Sequence, residues 1–416
     1  MRKIFSVTIF TAMLTLLRML CGFAIAKIVA IYTGPAGMAM LGQMQSMITS
    51  LNGIVTSPVG SGVVRYTAEH VDNGYEACAK WWQASLQWAF GLFLIIAPLA
   101  VLLSSQISAF LFQNDKFYWV VILSCIVLPL SIINTTFISV TNGQQQYKKY
   151  ISVGFISVVI SSTLMAVMIY LYRLQGAMVA AALNSSISGV VVLMLSLRQP
   201  WLKMRYWIGR TSSTHRKAIG GYVIMAITSA IAVPLSLVLV RTILVNHVGW
   251  EGAGQWQAVW KISEVYLAII TLALTTYYLP QLSKLQSAEE IRREINQTAK
   301  IILPIVSVLA LGVYLFRDLA IYILFTDEFK PARDLFSIQL FGDVIKILAW
   351  LYAFPMIAKA AVKWYVTTEI IFCGTLVLFT YYFVLLYGTQ GANIAYALNY
   401  IFYFIIMFFN LKRFAR

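Results

Sequence analysis

Charge is scarce in this chain. Of its 416 residues only 11% are Asp, Glu, Lys or Arg, and 15 are acidic. Soluble domains carry about 25% charged residues. A chain with under half that, and 60% apolar residues, would not cover its own surface in water. Lipid is the solvent that fits. Grouped ligands are missing too. The four cysteines (Cys21, Cys78, Cys125, Cys373) and three histidines (His70, His215, His247) are scattered without ligand spacing. That leaves no readable metal site and makes the cysteines small apolar packers. The sequence has no Gly-Lys-Ser/Thr for direct use of ATP and no legible Ser-His-Asp set for hydrolysis.

What is present is a succession of long apolar runs. A spanning helix needs about 20 mostly apolar residues. The sequence predicts twelve of them, over 4–32, 37–64, 81–105, 117–142, 147–172, 176–197, 218–246, 254–281, 299–316, 334–358, 364–387 and 391–411. The expectation is an all-α polytopic membrane protein with no sizeable soluble domain. At the N-terminus, Arg2-Lys3, an apolar run and Ala24-Ile25-Ala26 mimic a secretory leader. Arg18 interrupts that run and the segment is too long, so it is read as a retained span.

The net charge of +16 would suit nucleic acid, but its placement argues otherwise. With the N-terminus inside, 21 of the 31 Lys and Arg fall in inner segments, five in outer loops and five within spans. That bias is the positive-inside rule for two cytoplasmic termini, with the basic residues touching anionic lipid. No nucleic-acid partner is expected. The longest basic stretch, 198–217, contains Trp201, Tyr206 and Trp207 and reads as an interfacial linker between halves. Trp81, Trp82, Trp119, Trp250 and Trp364 fall near span ends, as in an aromatic belt.

The halves resemble each other. Gly176–Asn184 (GAMVAAALN) and Gly391–Asn399 (GANIAYALN) share six of nine residues at an offset of 215. Gly34 and Gly37 of TGPAG match Gly249 and Gly252 of VGWEG at the same offset. Gly42-Gln43-Met44-Gln45 matches Gly254-Gln255-Trp256-Gln257 with a shift of three, and Leu-Phe segments recur at Ala109–Phe112 and Tyr322–Phe325. These matches predict two pseudo-symmetric six-helix lobes, 1–198 and 218–416, joined by a basic linker, 199–217, around a central cavity. Transporters are commonly built from such repeats.

Polar residues inside spans are the functional suspects, because a mid-bilayer charge is disfavoured by roughly 2.5–3.5 kcal/mol on insertion scales. Helical spacing aligns them in stripes: Thr11, Thr15, Arg18 and Gly22; Gln257, Lys261 and Glu264; Gln339, Asp343 and Lys346. The second span adds Gln43, Ser46, Ser50, Gly53, Ser57 and Ser61. Lys27 lies about half a turn around from Arg18, so it either faces the seam where the helix bends or snorkels. Lys27 precedes Gly34 by seven residues and Arg241 precedes Gly249 by eight, nearly the same place in each half. Lys261 with Glu264 and Asp343 with Lys346 are spaced i, i+3 and suited to neutralise each other. The sequence puts no acid within a turn of Arg18, Lys27 or Arg241. An excess of positive charge favours an anionic ligand, and Arg forks suit phosphate oxygens.

The TGPAG turn, the stretch GQWQAVWKISEVYLAIITLALTTYYLPQLSKL (Gly254–Leu285), FRDLAIYILF (Phe316–Phe325) and RDLFSIQLFGDVIKILAW (Arg333–Trp350) resemble the Wzx-type O-antigen translocases. Within them the likeness is nearest to the lipid III flippase branch of enterobacterial common antigen synthesis. That family belongs to the multidrug/oligosaccharidyl-lipid/polysaccharide exporter superfamily. The resemblance covers essentially the whole chain. It implies moving an undecaprenyl-diphosphate-linked oligosaccharide from the cytoplasmic to the periplasmic leaflet of the inner membrane by alternating access. Basic residues stand in the family pattern where Arg18, Lys27, Arg65 and Arg241 stand here, and the Asp343–Lys346 pair is shared. Two departures are Glu264, where the pattern has Asp, and Lys261, which has no matching cation.

From residues and resemblance together, Arg18, Lys27, Arg241, Lys261, Gln43 and Gln257 are the expected contacts for diphosphate and glycan. Glu264, Asp343, Lys346 and Arg65 are the expected coupling or gating residues, tied to a proton or other ion gradient. No cofactor is implied. The expected partners are the lipid-linked oligosaccharide, membrane lipids, and a polysaccharide polymerase with its chain-length regulator. A multidrug or organic-cation antiporter on the same fold is the alternative; an excess of Arg and Lys would repel its substrates. A membrane polymerase or ligase needs a sizeable outer loop, and the longest here, about 316–334, offers only Arg317, Asp318, Asp327, Glu328, Lys330 and Arg333. No enzyme is expected.

Overall fold

The computed structural model describes residues 2–415, with side chains from Ala12 onward except those of Ser61, Tyr147, Gly221 and Tyr222. The side chains of Thr11 and Ser61, both named in the polar stripes, and the terminal Arg416 lie outside the described set. Among the described residues there is no strand. In chain order the helices are α1 (Arg2–Thr56), α2 (Ser61–His70), α3 (Tyr75–Leu102), α4 (Ser104–Phe112), α5 (Tyr118–Ile126), α6 (Leu128–Gly143), α7 (Tyr147–Ser196) and α8 (Met204–Trp207). They continue as α9 (Ser213–Ala273), α10 (Leu279–Lys284), α11 (Ala288–Leu315), α12 (Arg317–Leu324), α13 (Phe336–Ala358), α14 (Val362–Tyr387) and α15 (Thr389–Phe414).

Among the described residues, nine helical segments are long and apolar enough to cross a membrane. Three are too long for one crossing: Ala12–Asn73, Lys148–Ser196 and Ser213–Lys284 hold 62, 49 and 72 residues. At 1.5 Å per residue the shortest of these would run about 74 Å, against a hydrocarbon core of about 30 Å. Their long helices α1, α7 and α9 each contain one residue that leaves helical geometry: Gly34 (φ 64°, ψ −168°), Arg173 (φ 49°, ψ −124°) and Gly249 (φ 75°, ψ 174°). A reversal at each gives two crossings per segment and twelve in all, matching the twelve apolar runs of the sequence.

The same backbone breaks carry the duplication. Gly34 pairs with Gly249, Gln145 with Ala360 and Arg173 with Gly388; all six have positive φ, and every pair is 215 residues apart. Gly176 lies so close to the Met168 carbonyl that a Cβ would collide with it, and Gly391 stands in the same relation to Phe383, 215 residues on. The short helices α4 and α12 end against buried Phe112 and Phe325. One sequence match falls out of register. The helices run unbroken from Gly34 and from Gly249 through the matched residues, so Gly254 corresponds to Ala39 and Gln257 to Gly42. The shared Gly-Gln-x-Gln letters therefore do not occupy equivalent places. By the same register Lys27 and Arg241 miss equivalence by one residue, about 100° around a helix.

The chain packs as two compact units, Met1–Tyr32 with Gln43–Pro234 and Thr33–Gly42 with Leu235–Arg416. In the first, the basic linker is held by ring stacking and by hydrogen bonds from α3. Trp201 is fully buried, its ring edge-on to Phe137 at 5.0 Å, and Trp207 stacks on Trp82 at 4.9 Å. Gln83 Nε2 donates to the Arg205 and Ile208 carbonyls, Gln87 Nε2 to that of Gly209, and Trp88 Nε1 to that of Arg216. Trp82, read from the sequence as a belt residue, is fully buried in this aromatic box, its indole N–H donating to Thr67 Oγ1 at 2.9 Å.

In the second unit α13 packs along α15 and α11, and α14 along α15. A full capping box at Ser287 and Glu290 starts α11. The far end of α9 widens into a π turn at Leu274–Tyr278 just before Pro280, a residue that cannot donate to the preceding turn. Tyr278 closes that turn by donating to the Leu351 carbonyl on α13 at 2.9 Å. These contacts hold α9, α13 and α15 in the arrangement that builds the site.

Candidate functional site

The second unit concentrates the buried polar chemistry. Arg241 on α9, 3% exposed, donates through Nε to Gln257 Oε1 at 2.6 Å. The chain comes back past this pair at Gly42, where a Cβ would stand 2.7 Å from Gln257 Oε1 and 2.9 Å from Arg241 Nε. Only a residue without a side chain lets that backbone come so near. Further along α9, Lys261 and Glu264 form the expected pair at 3.3 Å, partly exposed, and Trp260 Nε1 donates to Glu264 Oε1 at 3.0 Å. A partly solvated pair of this kind contributes at most about 1 kcal/mol.

Asp343 on α13 is fully buried. Tyr266 donates to Oδ2 at 2.7 Å, and Tyr396 and Gln339 to Oδ1 at 2.8 and 3.2 Å. Both carboxyl oxygens are thus satisfied by neutral donors, as a buried acid requires. The sequence spacing paired Asp343 with Lys346. No ion pair within 4.0 Å joins them, because two phenols and an amide occupy the carboxylate while the ammonium turns to aromatic faces. Lys346 Nζ lies 4.8 Å from the ring centre of Trp350 and 5.7, 5.8 and 5.7 Å from those of Trp260, Tyr396 and Tyr400. All four distances are within cation–π range.

The other expected site residues are spread through the first unit. Arg18 is exposed, Lys27 half-buried and Gln43 buried. Arg65 on α2 is exposed, 2.7 Å from Glu69 one turn on, with its guanidinium over the Tyr66 ring. A modest polar cluster joins Asn52, Ser185 and Ser131: the amide donates to Ser185 Oγ at 3.5 Å, and the two hydroxyls are 2.7 Å apart. The structure therefore places Arg241, Gln257, Lys261, Glu264, Asp343 and Lys346 in one unit, on the two parts of α9 either side of Gly249 and on α13.

Sequence reasoning missed the aromatic groups that organise the site: Tyr266, Tyr396, Tyr400, Trp260 and Trp350. Two left a signal. Trp260 precedes Glu264 by four residues and Trp350 follows Lys346 by four, the spacing at which helical side chains meet. Glu369, within the segment Val362–Tyr387, is an intramembrane acid that the reading passed over.

A curated Lipid III flippase of Escherichia coli (strain K12) is 28% identical over 402 residues, 95% of each chain, and one from Shigella flexneri matches equally. Among solved structures, the inward-facing form of a multidrug resistance MATE family transporter superposes with a TM-score of 0.76 at 16% identity, over 95% of this chain and 94% of that one. The lipid II flippase MurJ, inward closed, gives 0.73 at 11% identity, over 98% and 87%. At such identities the two structures establish the fold alone. Residues 41–334 match the model of the polysaccharide biosynthesis protein family, which is most of the chain, and the chain belongs to that family.

Proposed function

We propose that this protein moves an undecaprenyl-diphosphate-linked oligosaccharide, an O-antigen or enterobacterial common antigen repeat unit, from the cytoplasmic to the periplasmic leaflet. The observation that carries the reading is a match running the length of both chains to proteins named Lipid III flippase. The buried chemistry supports it: Arg241 and Gln257, with Lys261 one turn further along the same helix, offer a fork and an ammonium to a diphosphate. Arg18, Lys27 and Gln43 are assigned to the same headgroup. Transport proceeds by alternating access, without catalysis and without a cofactor, coupled to a proton or other ion gradient through Glu264 or Asp343, with Lys346 and Arg65 as gating residues. The protein sits in the bacterial inner membrane with both termini cytoplasmic and hands its cargo to a polysaccharide polymerase and chain-length regulator. The organic-cation alternative is supported by fold alone.

Proteoliposomes loaded with a fluorescent undecaprenyl-diphosphate oligosaccharide test this, read by how fast the glycan becomes accessible at the opposite leaflet. Arg241→Glu is expected to lower that rate at least tenfold in folded protein, and Arg241→Lys to retain part of it. Wild-type rates in Arg241→Glu would refute the assignment of Arg241. No wild-type flipping in any imposed proton or sodium gradient would refute the function.

A further inference from the structure

Lys346 is held in an unusual way for a cation in a membrane-spanning helix. Among the described residues its ammonium has no hydrogen bond and no ion pair; its neighbours are the rings of Trp260, Trp350, Tyr396 and Tyr400, with centroids between 4.8 and 5.8 Å from Nζ. Four aromatic faces around one cation is the arrangement by which proteins recognise quaternary ammonium groups.

Three of the four rings are held by contacts that do not involve Lys346. Tyr396 is fixed by its hydroxyl on Asp343 Oδ1 at 2.8 Å, and Trp260 by its indole N–H on Glu264 at 3.0 Å. Trp260 and Tyr396 meet edge to face at 5.3 Å, and Tyr396 and Tyr400 likewise at 4.9 Å. Trp260, Tyr396 and Tyr400 are buried, and Lys346 and Trp350 are half-buried.

The first half provides an internal comparison. In the 215-residue register Ser131 stands where Lys346 does and Ser185 where Tyr400 does, and those serines share a 2.7 Å hydrogen bond. The fold therefore does not need a cation at this position. The second half has both the cage and its filling.

We propose that the Trp260–Trp350–Tyr396–Tyr400 cage is a quaternary-ammonium site kept occupied by the protein's own lysine, which makes Lys346 the residue that excludes organic cations. The inference stands on the cage alone, whatever substrate the chain carries. Removing the lysine beyond Cβ vacates a space close in bulk to a trimethylammonium group, which the rings then accept.

Purified full-length protein in detergent, with choline as probe, provides the test. Its neutral isostere 3,3-dimethylbutan-1-ol serves as control, and tryptophan fluorescence and melting temperature are the readouts. Lys346→Ala is expected to bind choline saturably, at least tenfold more tightly than wild type and at least tenfold more tightly than the alcohol. Lys346→Met, which keeps the stem in the cage, should bind as weakly as wild type. Trp350→Ala in the Lys346→Ala background should lose most of the gain. Equal choline binding by wild type and Lys346→Ala would overturn the proposal, as would equal binding of the alcohol, or Lys346→Met binding as well as Lys346→Ala. If Lys346→Ala melts early, choline should restore its melting temperature; a destabilised variant that choline leaves unchanged also counts against the cage.

Discussion

Asp343 and Lys346 stand one turn apart on α13 with no ion pair between them: the acid accepts from Tyr266, Tyr396 and Gln339, while the ammonium lies against four rings. Tyr396 serves both residues, its hydroxyl on the carboxylate and its face toward the cation. Acid and base are thus linked through one phenol ring rather than by direct contact.

Removing that acid should therefore cost more than removing any one donor. Asp343→Ala strands two buried hydroxyls and is expected to destabilise the protein by about 3–5 kcal/mol. Tyr266→Phe forfeits one bond to a charged group, about 1.5–3 kcal/mol. Thermal melting of both variants and of their double mutant checks this: the double should melt near Asp343→Ala, well short of the additive sum.

Gly42 offers a probe of the Arg241–Gln257 pair that leaves both polar residues intact. Gly42→Leu would push a side chain to within 3 Å of both groups and is expected to lower transport at least tenfold. Gly374→Leu, with nothing within 4 Å of its Cβ position, should transport as wild type does. Flipping assays on the two variants side by side separate a local effect from a general intolerance of glycine replacement.

Arg173 occupies a conformation that its counterpart Gly388 adopts without steric penalty. Backbone strain of this type costs a non-glycine residue about 1–3 kcal/mol, more than the entropy a glycine adds to the unfolded chain. Arg173→Gly is expected to raise the melting temperature and Gly388→Arg to lower it. A fall in the melting temperature of Arg173→Gly would count against strain at that turn.

The clasped linker predicts protection from protease. Arg198, Lys203, Arg205 and Arg210 are tryptic sites, yet the segment is tied down by Gln83, Gln87, Trp82 and Phe137. Trp201→Ala removes a fully buried indole, a loss of about 3–5 kcal/mol. Trypsin should then cut between 198 and 212 at least tenfold faster than in wild type, as followed by gel and mass spectrometry.

The crossings were legible because a bilayer imposes one simple demand, a long apolar window, and the duplication because its turns recur at fixed spacing. The Lys261–Glu264 pair was legible from i, i+3 spacing alone. At Asp343 and Lys346 the same spacing puts two charges one turn apart without an ion pair, since it says nothing of a competitor from another helix. Tyr396 and Tyr400 reach the site from α15, some 50 residues along the chain, and left no local trace. The Gly-Gln-x-Gln match failed for a similar reason: three shared letters outweighed the turn that sets the register.

Three pairs of bends recur at a constant 215-residue interval, with unlike side chains lodged beside them. Folding constrained where each copy turns. Away from the bends the copies differ, one with a plain pair of hydroxyls and the other with a lysine ringed by indoles and phenols. Sequence drift in a broad sampling of relatives should follow that division: slow at the bends in both copies, fast beside them in one.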